Sequence, residues 1–215
     1  MIPELSRAIR NGRTDRVVPY LNAGGDPLHV DEEGLSLVQW CAYHGDATAV
    51  RALICAGVPA RQLGENLDLN GAVFHGHVRL VDCLIELGAD VNQPLAETGE
   101  TPLHAALCKS GDERFEKIVT QLIEAGANPN CMTRPGIPTD GFMRDARTRG
   151  ETPLHRAAAF GSANVIQKLI AAGARRDARD ANGDSPLGWA SWYLRPRSIL
   201  QILCFPPFQI RDGRD

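Results

Sequence analysis

The stretch "GETPLH" occurs at 99–104 and again at 150–155. Its Thr-Pro pair reads as a helix start. Thr101 or Thr152 can cap with its side chain, and Pro102 or Pro153 suits the first helical position, where a missing N–H costs nothing. Small residues follow, "AAL" at 105–107 and "RAAAFG" at 156–161, so a neighbouring helix can pack close. Downstream of each copy lies an apolar segment ending in Gly, "IVTQLIEAGANPN" at 118–130 and "VIQKLIAAGARRD" at 165–177. Its Leu/Ile pattern predicts a second helix, and the Gly supplies a left-handed stop.

The same ending recurs at "AVRALICAGVP" (49–59) and "LVDCLIELGADVN" (80–92), and more faintly at "RVVPYLNAGGDP" (16–27). The closing glycines, Gly24, Gly57, Gly88, Gly126 and Gly173, are spaced by 33, 31, 38 and 47 residues. A period near 33 means stacked supersecondary units, none able to bury its apolar face alone. The chain resembles the ankyrin-repeat family over nearly its whole length, most closely in "GETPLHRAAAFGSANVIQKLIAAGARRDA" (150–178). The resemblance implies an all-α solenoid of about six helix-turn-helix units with projecting turns, forming one domain over 1–215. Its parts are an N-cap at 1–30, repeats at 31–60, 61–93 and 94–130, an insertion at 131–150, a repeat at 147–179 and a C-cap at 180–215. The TPLH slot departs to "SLVQ" at 36–39, "LDLN" at 67–70 and "SPLG" at 185–188, and losing Thr-Pro at 67–68 puts the start of that helix in doubt.

The two GETPLH copies lie 51 residues apart, about 18 more than one repeat. A few of the extra residues fall in "CKSGDERFEK" (108–117), lengthening the turn between two helices; the rest form "CMTRPGIPTDGFMRDARTRG" (131–150). Pro135, Gly136, Pro138 and Gly141 argue against regular helix or strand there. Long loops in compact domains are often functional, and this one is expected to carry Arg134, Phe142, Met143, Arg144, Arg147 and Arg149 as a basic finger.

The family resemblance implies that the first helix of each unit lines a concave side, with the two residues before its closing Gly facing a partner. Those positions read Tyr43-His44, Phe74-His75, Ala159-Phe160 and Trp192-Tyr193, so five of the twelve aromatics fall on one stripe. Rigid rings facing water mark interaction surfaces. Trp40 and Trp189 sit three positions earlier and read as structural. Residues 1–130 carry 10 basic and 18 acidic side chains and residues 131–215 carry 13 and 8, a split of −8 against +5 that would orient a complementary partner. Among the early turn charges are Glu65, Glu97 and Glu100.

Other readings are narrowed. His104 and His155 are expected to hydrogen-bond neighbouring turns, as the family uses them. His75, His77 and Cys83 lack a fourth zinc ligand. "GDSPLG" (183–188) misses the GxSxG spacing, and no P-loop, GxGxxG or HExxH occurs. No apolar run suits a signal peptide or a membrane helix, and six cysteines without a CxxC pair point to reduced thiols, so a cytoplasmic protein is expected. The tail "CFPPFQIRDGRD" (204–215) is expected to cap the last unit.

The expectation is a non-enzymatic binding module without cofactor, metal, nucleic acid or membrane. It would be monomeric alone and grip a protein partner through Tyr43, His44, Phe74, His75, Phe160, Trp192, Tyr193 and the finger. A variant of this reading, by analogy with small ankyrin proteins, is an enzyme inhibitor or toxin-neutralising protein. An enzyme would need an enclosed pocket between finger and groove, with His44 or His75 as base beside a carboxylate. Self-association through the stripe is a third reading.

Overall fold

The computed structural model describes residues 2–108, 111–139 and 146–208. These fall into two compact units, 1–90 and 91–215.

The first unit contains α1 (Ile2–Arg10), α2 (Val17–Asn22), α3 (Leu37–Tyr43), α4 (Ala47–Cys55), α5 (Leu69–Phe74) and α6 (Val78–Glu86). Helices α1, α3 and α5 pack in succession, and so do α2, α4 and α6. Apolar side chains from both rows meet in a core that includes Ile9, Val17, Leu53, Leu69, Val81 and Leu84. Each α4-type helix buries one stripe, in α6 Leu80, Val81, Cys83 and Leu84, as its apolar spacing dictates. The "LDLN" departure has a local consequence: Asn66, Leu67 and Asp68 all have positive φ, and α5 begins only at Leu69. What replaces the missing Thr-Pro is a left-handed corner, anchored by Asn66. Its Nδ2 donates to the Asp90 carbonyl at 2.8 Å, and its Oδ1 accepts the Asp90 N–H at 2.7 Å.

Gly45 ends α3 in the left-handed region (φ +74), and a Cβ there would lie 2.4 Å from His77 Nδ1. That ring is held by its Nε2 against the Tyr43 carbonyl at 3.1 Å. Gly45→Ala should therefore cost more than the roughly 1–2 kcal/mol of a left-handed L-residue, because the imidazole must also move. Gly57 (φ +101) faces open space, so Gly57→Ala carries the backbone cost alone. Equal losses of unfolding free energy in the two variants would contradict this.

The second unit contains α7 (Pro102–Ala106), α8 (Glu113–Glu124), β1 (Pro138–Thr139), β2 (Ala146–Arg147), α9 (Pro153–Phe160), α10 (Ala163–Ala171), α11 (Pro186–Trp192) and α12 (Arg197–Leu203). Helices α7, α9 and α11 pack in succession, as do α8, α10 and α12. The turns between second helices are clasped as at Asn66. Asn92 Nδ2 donates to the Gly126 carbonyl and its Oδ1 accepts the Asn128 N–H, while Asn130 does the same with Gly173 and Arg175.

Two expectations about the extra residues are corrected. The surplus near 108–117 does not only lengthen a turn: it adds about one turn of helix, since α8 has 12 residues where α4, α6 and α10 have 9. Asp112 caps it by accepting the Arg114 N–H at 2.9 Å. The 131–150 insertion does contain strand, with Pro138 opposite Arg147 and Thr139 opposite Ala146 in an antiparallel pair. Pro138 is tolerated because a two-residue ladder has free edges and needs no N–H from it.

Candidate functional site

In the first unit the rings singled out in the sequence form a contiguous cluster. Tyr43, 60% exposed, lies edge-on to His75 at 6.0 Å between centroids, and His75 stacks on His77 at 5.7 Å. Phe74 is half-buried against His75 at 5.4 Å. His44 is half-buried, its Nε2 within 3.1 Å of the Arg10 carbonyl and its ring stacked on Trp40 at 6.2 Å.

In the second unit Phe160 meets Tyr193 edge-to-face at 4.7 Å, and Tyr193 lies 6.3 Å from Trp189. Trp192, one position before Tyr193, is 78% exposed. Arg149 extends over the Trp189 ring with its Cζ 5.7 Å from the centroid, a cation–π geometry. Arg149, Asp184, Trp189, Trp192 and Tyr193 line an open cleft of about 250 Å³.

Trp40 and Trp189 are held by one device, written twice. "DEEGLSLVQW" (31–40) and "DANGDSPLGW" (180–189) share Asp, Gly, Ser and Trp at the same offsets. The Trp indole N–H donates to the Asp nine residues earlier, at 2.8 Å in Asp31–Trp40 and 2.9 Å in Asp180–Trp189. The same Asp accepts turn amides, those of Glu33 and Leu35 or those of Asn182 and Asp184. Ser36 and Ser185 cap the following helices. Burial raises the Asp31 pKa, but the Trp40 indole, the Leu35 amide and Arg10 outweigh it and hold the carboxyl at about 2.

The two Glu residues of GETPLH converge on one buried cation. Arg156 is 0% exposed, and its Nη2 lies 2.6 Å from both Glu100 Oε1 and Glu151 Oε1. Arg156 Nε donates to Glu151 Oε1 at 3.0 Å, and Nη1 to the His104 carbonyl at 3.3 Å. The remaining carboxylate sites hold the insertion. Thr133 donates to Glu151 Oε2 at 2.7 Å, the Arg149 N–H to the same oxygen at 2.6 Å, and Thr139 to Glu100 at 3.1 Å. Glu100 is thus 6% exposed rather than a surface turn charge, which corrects the sequence reading. The Arg that gathers the two carboxylates stands directly after His155, where the first copy has Ala105. Burial raises the Glu151 pKa, but Arg156, Thr133 and the Arg149 amide together bring it well below the usual carboxylate range.

The motif histidines tie adjacent turns, as expected. Thr101 N–H donates to His104 Nδ1 at 3.2 Å, and Thr152 N–H to His155 Nδ1 at 3.1 Å. An accepting Nδ1 leaves the proton on Nε2, which then donates to the Glu151 carbonyl from His104 (3.2 Å) and to the Asp184 carbonyl from His155 (3.0 Å). Burial lowers both pKa values, and beside Arg156 that of His104 falls to about 3.

The finger arginines are exposed and tethered. Arg134 Nη1 donates to the Ala96 carbonyl at 2.6 Å and Arg147 Nη1 to the Gly136 carbonyl at 2.7 Å, while Arg149 lies on Trp189. Phe142, Met143 and Arg144 lie outside the described residues, as does Ile210. Of the tail, Phe208 reaches back to line a hollow against Leu187 and Ser191. The six cysteines are free thiols, and burial pushes Cys41 up to about 12 and Cys108 up to about 11. Among the described residues no helix is long and apolar enough to cross a membrane, and no cluster of three or more His, Cys, Asp or Glu could hold a metal.

Comparison with known proteins matches residues 136–212 to the profile of ankyrin repeats in three copies, and residues 98–134 to that of a single ankyrin repeat. The chain is 28% identical over 210 residues to the palmitoyltransferase ZDHHC13 of Homo sapiens, covering 87% of this chain and 33% of that protein. It is 38% identical to Homo sapiens Rabankyrin-5 over 88 residues (41% and 7%), and 24% identical to the Mus musculus B-cell lymphoma 3 protein homolog over 195 residues (88% and 39%). The chain thus spans about a third of the length of the first of these relatives. The expectation that the chain is no enzyme is overturned, because relatives aligned along most of it are palmitoyltransferases. Their match runs along the repeats and establishes no activity here. The repeats, their paired helices and these matches together place the chain in the ankyrin-repeat family, as an all-α solenoid of the kind that mediates protein–protein interaction.

Proposed function

We propose that this chain grips a protein partner through the ring-bearing ends of its first helices and through the basic turn at 131–150. The observation that carries this reading is Trp192, a large ring 78% exposed at the end of α11, beside the Arg149–Trp189 stack. Leaving so large an apolar surface in water forgoes a few kcal/mol of burial that a partner can recover. Support also comes from Tyr43 and His75, both exposed at the ends of α3 and α5. The Arg156 network adds rigidity at Thr133 and Thr139, so those two residues lose little entropy on binding.

Partners captured from the source cells by the intact chain test the reading. Trp192→Ala and an Arg147→Ala, Arg149→Ala double variant should each weaken capture of the main partner by about tenfold or more, as expected of interface anchors. Undiminished capture by both would refute the assigned face. A second reading rests on the palmitoyltransferase relatives: the chain presents its partner for acyl transfer. Incorporation of a palmitoyl analogue into the captured partner that does not depend on this chain would dispose of that.

A further inference from the structure

Two hollows flank Asp184 along α11. The first is the cleft of Arg149, Trp189, Trp192 and Tyr193; the second, also about 250 Å³, is lined by Arg179, Ser185, Leu187, Gly188, Ser191 and Phe208. Each pairs one arginine with one exposed ring, Trp192 in the first and Phe208 in the second.

The charges around them are sorted by sign. Apart from Asp184, the carboxylates of this region are turned inward or already paired: Glu151 on Arg156, Asp180 on the Trp189 indole, and Asp177 in a surface pair with Arg175. The arginines Arg147, Arg149 and Arg179 are exposed. Arg179 Nη1 donates to the Gly183 carbonyl at 3.0 Å, which holds one arm of its guanidinium. Arg149 makes no side-chain hydrogen bond among the described residues, and its guanidinium is placed over the Trp189 ring. A planar guanidinium held that way is preorganised for bidentate pairing with a carboxylate. Asp184 lines both hollows and is the one carboxylate in either lining among the described residues.

We propose that α11 is the seat of an acidic peptide segment of the partner. Its carboxylates pair with Arg149 and Arg179, its apolar side chains rest on Trp192 and Phe208, and its backbone amides donate to Asp184. The inference rests on the protein-binding reading above and specifies its chemistry. A nucleic acid fits less well, because a run of phosphates would set one against Asp184, whereas a peptide can place a neutral backbone N–H there between its carboxylates.

The test uses the intact chain and a fluorescein-labelled 14-residue peptide of alternating Glu and Leu with a central Phe. Controls are the same peptide with Lys for every Glu, and an oligothymidylate of matched charge. Anisotropy should show saturable binding of the acidic peptide that weakens with added salt. It should fall about tenfold in an Arg149→Ala, Arg179→Ala double variant and in Trp192→Ala. Both variants should unfold at the wild-type denaturant midpoint. Three results would overturn the proposal: equal affinity for the Lys peptide, tighter binding of the oligonucleotide, or an arginine variant that binds like wild type. The broader reading fails separately. A captured partner lost by Trp192→Ala but kept by the arginine variant would preserve the docking face and remove the acidic chemistry, whereas a partner kept by both would remove both.

Discussion

Arg156→Met is expected to lower the unfolding free energy of the protein by about 3–5 kcal/mol, the usual consequence of removing one member of a buried ion network. The reason is what stays behind. Glu100 and Glu151 are 6% and 1% exposed, and without the guanidinium they become neighbouring buried carboxylates with no cation between them. Methionine fills much of the volume, so a cavity contributes little and the loss is mainly electrostatic. The damage should also reach the insertion, since the same carboxylates hold Thr133 and Thr139. Amide exchange of Gly136, which donates to the Thr148 carbonyl at 2.7 Å, should accelerate in step. Denaturant unfolding measures the first effect and hydrogen exchange the second. A triple variant adding Glu100→Gln and Glu151→Gln should recover a large part of the loss. A single-variant loss below about 1 kcal/mol, or no recovery in the triple variant, would show that the network is not what holds this region.

Acidification should be nearly as damaging. His104 and His155 are neutral in the fold because Nδ1 accepts a threonine N–H, and a proton there would face that N–H. Their folded pKa values lie below the ordinary 6.5, that of His104 at about 3. Below pH 6.5 the unfolded chain therefore binds protons that the folded chain does not, and stability falls with pH by roughly 1.4 kcal/mol per unit for His104, with His155 acting in the same direction. Glu151 acts in the same direction further down. Its folded carboxyl stays ionised as pH drops past its ordinary 4.5, where the unfolded one begins to protonate. Guanidinium unfolding at pH 7, 6 and 5 should give a steep decline that His104→Asn makes shallower. A flat profile across that range would contradict the buried neutral tautomers.

The fold was legible because its signals are local. Thr-Pro fixes where α7 and α9 begin, closing glycines fix where second helices stop, and a period near 33 says they stack. The motif histidines were readable for the same reason, since their partners follow from the repeat itself. Trp40 and Trp189 could have been read further, because the Asp–Gly–Ser–Trp offsets are repeated in the letters. The Arg156 network was not legible. Glu100 is 56 positions from Arg156, and nothing along the chain says that the Glu of an earlier repeat will point inward to meet it. Its one trace was Arg156 in a slot where the other copy has a small residue. The strand pair in the insertion was missed because Pro and Gly argue against strand in the interior of a sheet but not in a free two-residue ladder. Rings at the ends of α3 and α5 touch one another, as do those at the ends of α9 and α11, while the cleft depends on Arg149 folding onto Trp189, a contact 40 residues apart.

Hydrogen exchange of the intact chain, free and saturated with its captured partner, tests the binding face most directly. Protection of 147–160 and 184–195, the turn and the ring-bearing helices of the second unit, together with the ends of α3 and α5 around Tyr43 and His75, is the predicted result. Protection centred instead on α8, α10 and α12, with Trp192 and Arg149 unaffected, would contradict it.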